Sequence, residues 1–488
     1  MIDLKLVKIL PCGYKNKVRL STDNIQLLDA IKSFYTVANP NSKYATGKYV
    51  STTSSPITLT GMVGIGLIPD IMSKIYEFDP SVKIEITPEI KKLIKPFSLN
   101  DVPIITPKNK EYEYRDYQLN SVRLALEKGR GIFILPTSAG KSLIIYGIIE
   151  NLLYYKQDIK SILILVPNIQ LVKQFYKDLL DYGIEENKLQ MFSGFSDKLN
   201  NNQIIIANRD WIEGHKDELP TIDLLIADEV HGLKKNNVVS DYVEGLKTPI
   251  KFGLTGTLTN KDDKINEWHI KGLIGPVLYE KKTTELQEQG YVANIDIIPI
   301  KINHTKKPVF KYNTQEEYQK AFHDEWKYIE SLDTSNKIIG VIASKLNGNV
   351  LVLGDHIDHL KSIYDNMIYD KKYYIVGQVE LDDREHIREV MENNSNIKTI
   401  ANIKCFGTGI NIKNIDYIVL VSTGDAVIKF IQAIGRGLRL NEFKDKLVLI
   451  DISHNFKYSE KHFLERCNLY KEFYNKYIDY KRVRTINI

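Results

Sequence analysis

Residues 131–142, reading GIFILPTSAGKS, constrain the fold of this chain more than any other stretch. Gly131-Ile132-Phe133-Ile134-Leu135 is an apolar run of strand length, and Pro136-Thr137-Ser138-Ala139-Gly140 is a turn of small residues. Lys141-Ser142 then opens the helical pattern Leu143-Ile144-Ile145-Tyr146-Gly147-Ile148-Ile149. Strand, tight loop and helix N-terminus, in that order, aim unpaired N–H groups and a helix dipole at one point, which makes an anion site. There Lys141 reaches the β/γ-phosphates of a nucleotide and the Ser142 hydroxyl ligates Mg²⁺. The pattern G-x-x-x-x-G-K-[ST] asks for glycine at 135, where the chain has Leu135. A buried strand followed by an ordinary capped helix is the alternative.

The same alternation continues. From residue 108 to about 283, apolar runs at 131–135, 161–166, 203–207, 224–227 and 251–254 are separated by helical patterns. This indicates a parallel sheet covered by helices on both faces. After a connecting segment rich in Lys and polar residues, a second series follows at 349–353, 373–376, 397–401, 417–421 and 447–451. Two such α/β domains in tandem predict a ligand cleft.

At 488 residues the chain is long enough for two to four domains. Its 26% charged and 43% hydrophobic residues describe a soluble globular protein. A net charge of +5 permits a local basic surface for nucleic acid without requiring one. Cys12, Cys405 and Cys467 form no CxxC pair, which points to a reducing compartment and away from zinc. Met1-Ile2-Asp3-Leu4-Lys5 begins no signal peptide, and runs such as 162–166 are far too short for a membrane span. The expectation is a cytoplasmic protein with no membrane partner.

Residues 1–107 read as a small α+β domain, with short strands such as Lys15 to Leu20 and a capped helix from Asp23. Lys43, Tyr44, Lys48 and Tyr49, in the polar segment 39–60, place cations beside aromatics. That suits nucleic-acid contact, and a solvated loop equally explains it. Three prolines in 96–107 mark a linker. The expected domains are therefore 1–107, 108–283, 284–455 and a helical extension 456–488. In the extension Lys471, Lys476, Lys481, Arg482 and Arg484 form either a basic stripe or the solvated face of a packed helix. Residues 303–313 read as a hairpin or a connector.

Two further elements carry chemistry. Leu224-Leu225-Ile226-Ala227-Asp228-Glu229-Val230-His231 is a buried strand ending in two carboxylates, at the sheet edge where α/β proteins bind ligands. Asp228 there holds Mg²⁺ and Glu229 polarises the water that attacks the γ-phosphate. In Gln432-Ala433-Ile434-Gly435-Arg436-Gly437-Leu438-Arg439, Arg436 and Arg439 share a helix face, placed to neutralise a transferring phosphoryl group.

PTSAGKS, the Asp228-Glu229-Val230-His231 box, Thr255-Gly256-Thr257, Gly407-Thr408-Gly409-Ile410-Asn411 and QAIGRGLR occur in the order of the superfamily-two helicase motifs. Over residues 108–455 the chain resembles that superfamily. The resemblance implies two tandem RecA-like domains and ATP with Mg²⁺ as cofactors. It implies that Gln118, in Tyr114-Arg115-Asp116-Tyr117-Gln118, reads the adenine and that Arg115 belongs to the nucleotide-binding set. Pro136, Thr137, Ser138, Ala139, Gly140, Lys141, Ser142, Gly409 and Asn411 are then nucleotide-binding, and Gln432, Arg436 and Arg439 join Lys141, Asp228 and Glu229 in hydrolysis. His231, Thr255 and Thr257 become coupling residues, and Pro167, Asn168 and Thr408 touch the nucleic-acid backbone. Gly377 and Arg384 resemble a further second-domain signature. Within the superfamily, the loop with Ser138, the short N-terminal domain and the length look like the bacteriophage UvsW-type helicases, whose loop tolerates an apolar residue at the place of Leu135. Those are DNA helicases that unwind and branch-migrate forks and recombination junctions, so the resemblance implies a monomeric enzyme on branched DNA, indifferent to sequence. A restriction-system motor and an RNA helicase are the alternatives. The first needs a separate nuclease centre, for which Glu85, Glu89 and Lys91 are too loosely spaced.

Overall fold

The computed structural model describes residues 6–14, 16–39, 52–192, 200, 202–259, 263–308, 315–377, 379, 381–403, 412, 414–421, 434, 435, 437, 438 and 446–488. The chain divides into two compact units, Met1–Leu135 with Gly140–Lys281, and Pro136–Ala139 with Lys282–Ile488.

The first unit is built on a seven-stranded sheet. Its order is Val277–Glu280, Gly131–Ile134, Lys251–Thr255, Leu224–Asp228, Ile162–Val166, Ile204–Asn208 and Leu189–Phe192. Every neighbouring pair is parallel. The five expected strands are all present, and their runs of Ile, Leu and Val are buried on both faces, as helix-covered parallel strands must be. The two edge strands, Val277–Glu280 and Leu189–Phe192, escaped the sequence reading. Val277–Glu280 is half-exposed, and Leu189–Phe192 interrupts its apolar run with Gln190, so neither shows the continuous apolar signal of the centre. The register sets Thr255 against Ile134 and Asp228 against Leu254, which brings three strand ends level. Helix Lys141–Tyr155, buried along most of its length, starts at this edge.

The same unit carries a four-stranded mixed sheet ordered Met62–Gly64, Lys17–Ser21, Leu6–Pro11 and Lys83–Ile86. Helices Ile25–Phe34, Ile68–Phe78 and Pro88–Ile94 close a separate core around Val7, Ile9, Ile68 and Ile71. This is the small α+β element expected ahead of the RecA-like sheets. Lys43, Tyr44, Lys48 and Tyr49 lie outside the described residues.

The second unit has its own seven-stranded parallel sheet. Its order is Lys372–Ile375, Lys398–Asn402, Val350–Gly354, Tyr417–Leu420, Lys446–His454, Asn294–Asn303 and Arg484–Asn487. The two tandem parallel sheets bear out the α/β, RecA-like architecture. Two details differ from the sequence reading. Asn294–Asn303, inside the presumed connector, is a ten-residue strand whose half-exposed pattern and Pro299 hid it. The last residues are not helical throughout: helix Lys457–Tyr474 is followed by strand Arg484–Asn487, which pairs with Asn294–Asn303. That helix is anchored to the sheet because Arg466 grips Asp451 in two bonds of 2.9 and 2.8 Å and Tyr470 adds a third at 2.6 Å. Of the hairpin read at 303–313, residues 309–313 lie outside the described residues.

Candidate nucleotide site

Asp228 closes its strand fully in the core, and the next residue breaks the backbone direction. Glu229 has φ 48° and ψ 51°, a left-handed conformation rare for a residue with a Cβ. The turn presents its carboxylate to Lys141, the first residue of the helix that follows Gly140, itself left-handed at φ 72°. Lys141 Nζ donates to Glu229 Oε1 at 2.8 Å and lies 3.9 Å from Asp228 Oδ1. Thr255 Oγ1 has one proton to give, and it lies 3.2 Å from Glu229 Oε2, 2.8 Å from the Thr257 carbonyl and 2.9 Å from His231 Nδ1. His231 Nδ1 is also 3.2 Å from Glu229 Oε2. Lys141, Asp228, Glu229, His231, Thr255 and Thr257 thus form one connected polar cluster at the carboxyl edge of the sheet.

The two carboxylates titrate apart. Burial pushes the Asp228 carboxyl up to about 6, against the opposing pull of Lys141, with Glu229 adding to the rise. Burial also works to raise Glu229, but Lys141 and His231 outweigh it and hold the group well below the usual carboxylate range. Asp228 Oδ1 is buried with no hydrogen-bond partner among the described residues. A divalent cation satisfies such an oxygen, so the donor set fits Mg²⁺. The Ser142 hydroxyl, the other expected metal ligand, is 2.9 Å from Tyr182 Oη, and the Tyr182 ring packs edge-on to Tyr112 and Tyr146.

Gln118 is buried with Oε1 accepting from Arg115 N at 2.9 Å, and a Cβ on Gly140 would overlap its Nε2. The adenine-type motif therefore lies directly against the start of the phosphate-loop helix, while the Arg115 guanidinium bonds Tyr117 Oη at 3.1 Å. Leu135 is wholly buried and its N–H donates to the Thr255 carbonyl. Its side chain belongs to the core, which explains why the loop does not need glycine there. Ser138 is left-handed at φ 73°. Pro167 follows the Ile162–Val166 strand, and Asn168 caps helix Ile169–Tyr182 by accepting from Leu171 N at 3.0 Å. In the second unit Arg384 donates to the Gly377 carbonyl at 2.8 Å, joining the two residues of that signature. Thr408, Gly409, Asn411, Gln432, Arg436 and Arg439 lie outside the described residues.

Sequence reasoning missed Arg209, whose Nη2 donates to the Glu229 carbonyl at 2.6 Å. No motif contains it; only the sheet order brings it to the acidic turn.

Residues 111–260 match the family model for the type III restriction enzyme res subunit, and residues 332–441 match the helicase conserved C-terminal domain. With two parallel sheets and the Asp-Glu-Val-His box, these define an ATP-dependent helicase of superfamily two. The chain is 31% identical over 360 residues to the ATP-dependent DNA helicase uvsW of Enterobacteria phage T4, covering 70% of this chain and 69% of that one. The chain belongs to the UvsW-type DNA helicases. It is also 24% identical over 371 residues to the DNA 3'-5' translocase XPB2 of Sulfurisphaera tokodaii, covering 69% and 80% of the two chains. Among solved structures, S. cerevisiae Dbp5 bound to RNA and ADP BeF3 matches with TM-score 0.54 at 14% identity, over 76% of this chain and 89% of that one, a likeness of fold. Among the described residues no helix is long and apolar enough to cross a membrane.

Proposed function

We propose that this protein couples ATP hydrolysis to the unwinding and branch migration of forked or junction DNA in recombination and repair, as a cytoplasmic monomer. We assign residues 1–107 to an accessory domain, 108–283 and 284–455 to the motor, and 456–488 to an extension of the second motor domain. The observation that carries the reading is the cluster in which Lys141, Glu229, Thr255 and His231 meet beside a buried, unsatisfied Asp228 oxygen. The kinship with a phage DNA helicase supports the choice of substrate.

Lys141 exchanges its bond to Glu229 for the β/γ-phosphate oxygens, and Glu229, ionised at neutral pH, orients the attacking water and draws on its proton. Ser142 and Asp228 would hold Mg²⁺, which would supply charge neutralisation on the phosphates. Gln118 binds the base, with Arg115, Gly409 and Asn411 as further nucleotide contacts. Gln432, Arg436 and Arg439 neutralise the phosphoryl group in transfer. Thr255, Thr257 and His231 relay the state of the Glu229 carboxylate to the segment that follows strand Lys251–Thr255. Pro167, Asn168 and Thr408 hold the DNA backbone, so binding is sequence-indifferent and weakens with salt.

Lys141→Ala is expected to abolish DNA-stimulated ATPase activity while circular dichroism stays native; near-normal turnover in that folded variant would sink the site assignment. Unwinding and ATPase stimulation on forked DNA, a four-way junction, linear duplex and RNA, at two salt concentrations, test the substrate. Equal stimulation by RNA and junction DNA overturns the branched-DNA reading. The match to a restriction-enzyme subunit model motivates one further arm, in which Mg²⁺-dependent cleavage of DNA by the purified chain would favour a restriction motor.

A further inference from the structure

Arg209 opens the short helix Arg209–His215 after strand Ile204–Asn208. Strand Ile162–Val166 separates that strand from Leu224–Asp228, so the Arg209 side chain spans the carboxyl end of a neighbouring strand to reach the acidic turn. Its Nη2 donates to the Glu229 carbonyl at 2.6 Å and lies 3.4 Å from the Asp228 carbonyl. Those two oxygens belong to the peptide planes on either side of the Glu229 Cα. Gripping both planes restrains both backbone dihedrals of Glu229, the residue held at φ 48° and ψ 51°. A left-handed residue with a Cβ costs on the order of 1–2 kcal/mol, so this turn needs such a restraint.

The seat of the guanidinium is also specified. A Cβ built on Gly232 would overlap Arg209 Nη1 and lie 2.6 Å from Nη2. The Gly232 backbone is not left-handed, so its conformation does not require glycine. The guanidinium does. Gly232 N closes the turn by donating to the Glu229 carbonyl at 3.0 Å. Arg209 Nε is buried with no hydrogen-bond partner among the described residues, so the side chain gives up a hydrogen bond to hold this position.

We propose, on the ATPase reading above, that Arg209 is a positioning residue for hydrolysis that sets the Glu229 carboxylate through its backbone, with Gly232 as the seat that admits the guanidinium. Arg209 touches no reacting atom. It acts by fixing where the carboxylate sits relative to Lys141, and displacements of about 1 Å at such a group cost on the order of a hundredfold in rate.

The test uses the full chain with forked DNA and compares Arg209→Ala, Arg209→Lys, Gly232→Ala, the Arg209→Ala/Gly232→Ala double variant and Glu229→Gln. Steady-state ATPase gives kcat and KM, calorimetry gives the Kd for ADP with Mg²⁺, and thermal melting reports the fold. Arg209→Ala is expected to lower kcat about ten- to a hundredfold, with KM and the ADP Kd within about twofold of wild type. Arg209→Lys recovers part of the rate by restoring one donor. Gly232→Ala alone lowers kcat because its methyl displaces the guanidinium, and it costs almost nothing more once Arg209 is alanine. Wild-type kcat in Arg209→Ala, additive losses in the double variant, or a parallel fall in ADP binding, melting temperature and kcat each overturn the proposal. Normal turnover in Glu229→Gln overturns the ATPase reading itself, a separate failure.

Discussion

At the scale of single residues, the site is a competition for one ammonium group. Lys141 Nζ is bonded to Glu229 Oε1 in this structure, yet on the proposed mechanism the same nitrogen must serve phosphate oxygens. Removing the charge of Glu229 therefore acts in two directions. Glu229→Gln is expected to tighten ATP binding by about three- to tenfold, roughly 1 kcal/mol, because Lys141 no longer leaves an anionic partner. The same change lowers kcat by at least about a hundredfold, because an amide cannot take a proton from water. Calorimetry and single-turnover hydrolysis on one preparation check both; unchanged affinity would show that Lys141 does not carry the competition. Asp228 and Glu229 were legible in the sequence because the carboxylate pair, which alone would read as a solvated turn, ends an apolar strand downstream of a phosphate-loop pattern. Arg209 was not, because its partners are backbone carbonyls contributed by another strand.

At the scale of elements, burial decides which polar groups are chemistry and which are scaffolding. In the second unit His359, on helix Ile357–Asn366, is buried with Nε2 bonded to Asn336 Oδ1 at 3.0 Å. Burial pulls its pKa down to about 4, with Glu330 opposing and His356 assisting. His454, bonded to His304 at 2.9 Å, is lowered in the same way by burial and by its histidine neighbours. Both groups are neutral in the fold and take a proton more readily when unfolded. Their stabilisation is therefore complete above the unfolded pKa of about 6.5 and is lost as pH falls below it, for His359 down toward its folded value of about 4. For His359 the loss is at most ~3 kcal/mol. Denaturant midpoints measured between pH 7 and 4 are expected to fall less steeply for His359→Gln than for wild type; identical slopes would mean that His359 does not carry the acid sensitivity. The central strands of both sheets were readable as unbroken apolar runs. Asn294–Asn303 was not, because a half-exposed strand interrupted by proline has no such signature.

At the scale of the whole molecule, the N-terminal element is seated on helix Lys264–Ile274 of the first motor domain, within one compact unit. Gly64 approaches the Gly272 backbone so closely that an added Cβ would lie 2.7 Å from its Cα, and a Cβ on Gly66 would overlap the Lys271 carbonyl and lie 2.7 Å from Gly275 N. Asn16 donates to the carbonyls of Gly272 and Leu273, Lys271 pairs with Asp70 at 3.0 Å, and the buried Arg130 joins Leu93, Leu273 and Ile274 through their carbonyls. Apart from the Arg130–Leu93 bond, these contacts converge on helix Lys264–Ile274 and its cap Gly275, which follow the Thr255-Gly256-Thr257 segment. Gly66→Ala must move backbone rather than a flexible side-chain end, so it is expected to destabilise the first unit by about 1–3 kcal/mol. Urea denaturation measures this, and an unchanged midpoint would mean that the seat is looser than its geometry.

The sequence by itself determined the architecture and half of the chemistry. Buried parallel strands need continuous apolar runs, and a phosphate loop needs small residues before a Lys at a helix start; both are local patterns that survive in one dimension. The kinship with superfamily-two helicases rests on the same local motifs, read in order. What only the tertiary structure decided were contacts whose partners are backbone atoms or distant strands: the left-handed turn at Glu229, its Arg209 grip, the room left by Gly232, and the glycine seat beneath the N-terminal sheet. Each depends on which strands lie side by side and in what register. That ordering is set by the packing of the whole sheet, and no short stretch of the chain encodes it.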